Sequence, residues 1–172
     1  MIRQAASQLL LAGAVLLAPQ GLRAQHGADS VSFNRAIRSY TLTMAHLTEL
    51  KQAGINIQNY AKSHRDEAQK WTDASDNGDG TIDDQVRRID AISPFRQAIA
   101  STGLSTRDYL LTTITFFQAS MADGLQDSYA KTKQKAPVLP GNVNPANVTF
   151  IHVHKAEIEK LKLGELVNSS GG

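Results

Sequence analysis

The chain contains no cysteine in its 172 residues. That absence excludes a disulfide framework and a thiol nucleophile, so stability has to come from an apolar core. It also excludes a lipid-tethered export signal, which needs a cysteine just after its apolar run. A membrane-crossing stretch is missing too: the run Leu9 to Ala18 has about half of the roughly 18 to 20 apolar residues a spanning helix requires, and Pro19 and Gly21 interrupt it there. Charge of one sign is scarce, with 18 Lys and Arg against 16 Asp and Glu. With no lysine-arginine block flanked by aromatics, nothing drives phosphate neutralisation, and nucleic acid is excluded as a partner. Catalytic signatures are missing as well. There is no Gly-x-Ser-x-Gly elbow, no phosphate-cradling glycine loop and no His-Glu-x-x-His pattern.

The N-terminus has the layout of a cleavable secretory leader. Arg3 gives the positive start, Leu9 to Ala18 the apolar centre, and Leu22-Arg23-Ala24 a small residue for cleavage. Residues 1–24 are therefore expected to be a signal peptide and 25–172 a single exported domain, periplasmic or secreted, with no membrane span. Loss of Arg3 and Arg23 with the leader leaves 16 basic residues facing 16 acidic ones. A domain of that size can bury one core.

Helical periodicity dominates the remainder. Met44, Leu47, Leu50, Gly54, Ile57, Ala61, Ala68 and Trp71 recur at steps of three, four and seven, predicting a long amphipathic helix with a break or bend at Gly54. Phe33, Ile37 and Tyr40 predict a short leading helix or turn, and Thr43 can cap the next helix start. Residues 73–80 are nearly all turn formers and read as a loop. Thr81 can cap a short helix facing inward through Ile82, Val86 and Ile89, and Ser93-Pro94 starts another that Gly103 closes. Ser105 can cap the next helix, with Asp108 answering it and Leu104 stapling onto Tyr109. From Tyr109 to Ala122 this helix is uncharged, with an expected inward stripe of Leu110, Ile114, Phe117 and Met121, and Gly124 as its end. The span 127–143 reads as a crossover loop. Asn144-Pro145 reads as a cap and first-turn proline, opening a helix to about Leu163 with Ile151, His154, Ile158 and Leu161 on one face. The expected fold is an all-α, single-domain helical bundle of four to five helices. The 44–71, 109–122 and 145–163 helices would form its core, with the two short helices between them as connectors.

Two segments, Gly103-Leu-Ser-Thr-Arg-Asp-Tyr-Leu-Leu-Thr-Thr and Leu139-Pro-Gly-Asn-Val-Asn-Pro-Ala-Asn-Val148, resemble segments of an uncharacterised family of small exported helical bacterial proteins. The resemblance lies in the C-terminal part of the chain. It implies a bacterial, exported, helical protein, and it brings no activity, cofactor or catalytic residue with it.

Three constellations invite chemistry. The loop from Asp73 to Asp84 resembles a calcium loop, which wants oxygen ligands at alternating positions around a central glycine. With Gly80 at the glycine position, Asn77, Asp79 and Ile82 fall in place but Ser75 and Val86 stand where acids belong. With Gly78 there, Asp73, Ser75, Asn77 and Asp84 become oxygen donors, and Gly80 displaces the aliphatic residue. A solvated turn uses the same residue types. His152-x-His154 would chelate zinc on a strand, yet on the expected helix the two point roughly 200° apart. His64 and His154 each lie on an apolar stripe, so packing of their helices would turn both imidazoles toward one interior near Tyr60 or Tyr109, in the way bundles build metal sites. The alternative is a pair of hydrogen-bonded core or boundary histidines. His26 and His46 are expected to be exposed. Carboxylates such as Asp83, Asp84 and Asp90 read as solvated surface, and Glu157 and Glu159 cannot share a helix face. The expected function is a non-enzymatic binding or interaction module, with metal or cofactor binding, calcium at the acidic loop first, as the alternative.

Overall fold

The structure, a computed structural model, describes residues 27–68, 81–133, 135 and 138–163. Among these it is all-α, with no strand, and its helices are α1 (Gly27–Ser39), α2 (Met44–Ser63), α3 (Ile82–Asp90), α4 (Ser93–Ala100), α5 (Thr106–Lys131), α6 (Pro145–Val153) and α7 (Lys155–Leu161). Residues 65–68 are also helical. The signal peptide read over 1–24, the loop 73–80, Trp71 and Gly164 lie outside the described residues. No helix among the described residues is long and apolar enough to cross a membrane.

Helix starts obey local capping chemistry. The Thr43 hydroxyl accepts the His46 N–H, Ser105 accepts that of Asp108, and the Asn144 side chain accepts that of Ala146 with Pro145 behind it. Thr81 goes further: it accepts the Asp84 N–H while Asp84 takes the Thr81 N–H at 2.9 Å, a reciprocal capping box. At Ser105 the hydroxyl instead donates a hydrogen bond to the Asp108 carboxylate at 2.6 Å. Gly103 ends the turn after α4 at φ +97, a conformation that favours glycine.

The count exceeds the four to five helices expected, for two reasons. The leading segment forms a full helix of 13 residues, and the helix expected to run to Leu163 is interrupted at His154. Gly54 does not break α2. Its cost of about 1 kcal/mol is outweighed by packing on α4, where the Asn56 amide donates to the Ala98 carbonyl and the Ser101 hydroxyl. The break falls at His64. Nor does Gly124 end α5, which continues for seven more residues to Lys131, so the crossover is shorter than 127–143.

The apolar interior falls into three groups, and α5 contributes to each. Ala119 and Ala122 pack with Leu47, Val148 and Ile151; Leu110 packs with Ala53, Ile89 and Ile99; Leu111 and Ile114 pack with Ile37 and Ile82. Two sequence expectations are corrected here. Helices α3 and α4 are core elements rather than connectors, since Phe95 and Ile99 of α4 are fully buried. The inward face of α5 keeps only the first half of the expected stripe: Leu110 and Ile114 are buried, but Phe117 is exposed and Met121 is 55 % exposed, while Thr112, Thr115, Ala119 and Ala122 are buried. With no charge between Tyr109 and Ala122, polarity could not fix the phase, and small residues face the close approach of α6.

Candidate functional site

The extension of α5 past Gly124 creates the site. Asp123 and Asp127 are four residues apart and so lie on one helical face. α6 packs against that face, more extensively than any other described pair of helices, and brings His152 over both acids. Asp123 is buried to 3 % exposure, whereas the His152 ring is largely open to solvent. The His152 Nδ1 stands 2.9 Å from Asp123 Oδ1 and 3.8 Å from Asp127 Oδ1. Lys155, the first residue of α7, approaches from the other side: its Nζ is 2.7 Å from Asp127 Oδ2 and 3.6 Å from Asp123 Oδ2. Each carboxylate thus turns one oxygen to the imidazole and the other to the ammonium.

The hydrogen bond from Lys155 holds the Asp127 carboxyl below its usual range, helped by the charges of Lys155, His152 and Lys131. The same bond to Asp127 raises the Lys155 ammonium, with the Asp127 and Asp123 charges adding to it. Two carboxylates and one ammonium leave a net charge of minus one facing the imidazole. Burial of the Asp123 carboxylate is tolerated because both of its oxygens face a partner.

Asp123, Asp127 and His152 each offer one ligand atom, and these lie within 4.8 Å of one another. In a tetrahedral zinc site with bonds of about 2.0 to 2.1 Å, ligand atoms stand roughly 3.3 Å apart. The two separations measured from His152 Nδ1, 2.9 and 3.8 Å, bracket that value. A carboxylate can only accept, so Nδ1 carries the ring proton while it bonds Asp123. An ion would take that proton's place, with the ring carrying it on Nε2 instead. Lys155 is the competing feature, since the four groups already form an ion-pair network joining α5 to α6 and α7.

The residues singled out from the sequence lie elsewhere. Asp73, Ser75, Asn77 and Asp79 are outside the described residues. Asp84 is described, and its carboxylate is engaged by the Thr81 N–H and hydroxyl and by Arg87. Those contacts, the Thr81 backbone bond first, lower its pKa. His64 does not face an interior. It is exposed at the end of α2, stacked on Tyr60 at 4.0 Å between ring centres, with its Nδ1 2.9 Å from the Ser63 hydroxyl. His154 sits half-buried at the α6–α7 break, tilted over Phe150, its Nδ1 3.1 Å from Glu157. Those surroundings give each imidazole its own local partners. His152 and His154 diverge as a helix requires, one to Asp123 and the other to Glu157. His46 is half-buried against Tyr40, and His26 lies outside the described residues. Of the expected surface acids, Asp83 is exposed and pairs with Arg107, while Asp90 is half-buried and accepts the Thr106 hydroxyl at 2.5 Å.

The pairing of Asp123 and Asp127 with His152 escaped the sequence reading, although a signal was present. Asp123, Asp127 and Lys131 repeat every four residues, the pattern of a helix that passes Gly124. No protein-family model matches the chain, and no curated protein or solved structure matches it significantly.

Proposed function

We propose that this chain is an exported, non-enzymatic binding protein whose ligand is a divalent transition-metal ion held by Asp123, Asp127 and His152. The supporting observation is the convergence of one imidazole nitrogen and two carboxylate oxygens within 4.8 Å, supplied by two helices. Nitrogen among the donors favours zinc or a neighbouring metal over calcium, which takes six to eight oxygens. Three protein ligands leave a coordination position for water, and the exposed His152 ring gives an ion access from solvent. Export rests on the leader pattern of residues 1–24.

The test is calorimetric titration of metal-free protein with zinc, paired with melting curves. One equivalent binds and raises Tm in the native chain, and His152→Ala abolishes both effects. Absence of heat together with a Tm indifferent to zinc and to chelator overturns the proposal and leaves the cluster as an ion-pair clamp between helices.

A further inference from the structure

Lys155 takes no part in ligation, yet its position decides which oxygens remain for an ion. Its ammonium contacts Oδ2 of Asp127 at 2.7 Å and approaches Oδ2 of Asp123 at 3.6 Å, while both Oδ1 atoms face His152. We infer that Lys155 is a positioning residue for metal selectivity, restricting Asp123 and Asp127 to one coordinating oxygen each. This inference rests on the metal-binding reading of the same site.

Coordination chemistry gives the consequence. Two single-oxygen carboxylates and one imidazole make a compact three-donor set, suited to a four-coordinate ion such as zinc. Ions that prefer six oxygens, manganese(II) among them, gain from carboxylates that chelate through both oxygens. Lys155 closes that route at both acids at once. Its attachment reinforces the constraint: as the first residue of α7, directly after the interruption at His154, it reaches the acids from a different helix than His152 does. The two partners of each carboxylate are therefore set by separate elements, and neither acid can rotate without losing one of them.

The experiment measures zinc and manganese(II) affinities by competition with a chelator of known strength, on the full chain, for native protein and for Lys155→Met, Lys155→Gln and Lys155→Arg. Removal of a positive charge strengthens both metals alike, so the readout is the zinc-to-manganese ratio. That ratio falls at least tenfold in Lys155→Met. Lys155→Arg restores it, since a guanidinium fork can donate to both Oδ2 atoms, and Lys155→Gln, which keeps a donor without the charge, restores it in part. If both affinities rise together with an unchanged ratio, Lys155 acts only as a charge and the inference is overturned while metal binding stands. If the native protein binds neither metal, the metal-binding reading fails and the inference with it. Melting curves verify that each variant is folded.

Discussion

The side-chain oxygen of Asn147, on α6, accepts the backbone N–H of Leu42 at 2.9 Å, across 105 residues of chain. The same amide donates to the Tyr40 carbonyl at 2.7 Å, and Asn147 is only 1 % exposed. Asn144 adds a second bond to that carbonyl. One polar side chain therefore satisfies the backbone where α1 turns into α2 and fastens α6 beside it.

Asn147→Ala leaves the Leu42 N–H buried without an acceptor and costs about 2 to 4 kcal/mol, from two lost bonds and an orphaned donor. Urea unfolding measures it. A loss below about 0.5 kcal/mol would show that water replaces the side chain.

The orientation of α5 can be tested by a pair of substitutions. Met121→Lys, on the exposed side, changes stability by less than about 0.5 kcal/mol. Ile114→Ala, on the buried side, costs about 2 to 4 kcal/mol. Comparable losses would mean that the second half of the stripe expected from sequence, at Met121, faces inward after all.

Gly124 lies within α5, and a methyl group built on it meets no atom within 4 Å. Gly124→Ala therefore stabilises the protein by about 0.5 to 1 kcal/mol through helix propensity and reduced freedom of the unfolded chain. A destabilised variant would place a helix end at this position.

The ion pair between Lys155 and Asp127 sets a pH window. Asp127 is depressed in the folded state, so its contribution is present above the unfolded carboxylate pKa of about 3.9 and is lost as pH falls through the folded value. Lys155 is raised, so its contribution is complete below about 10.4 and is lost as pH rises through its folded value. The Tm difference between native protein and Asp127→Asn thus narrows at both extremes, below about pH 4 and above about pH 10. A difference that persists at about pH 2 would mean that it does not arise from the pair.

What was legible in the sequence was local. Thr43, Thr81, Ser105 and Asn144 cap helices because their partners lie two or three residues away, and the structure carries all four. Ile82 and Ile89 turn inward as their spacing predicts. The site was not legible, because Asp123 and His152 are 29 residues apart and meet only through the packing of α6 on α5. The phase of α5 was hidden for a related reason: where every residue is uncharged, burial is decided by which neighbours come close, and that is a property of the whole fold.

Because α5 forms one wall of all three apolar groups, damage in any of them cannot be quarantined. Loosening the Asp123 end reaches the Leu110 end along a single hydrogen-bonded rod of 26 residues, about 39 Å long. The amides between Leu110 and Ala122 should therefore be the last to trade hydrogen for deuterium, and they should do so together.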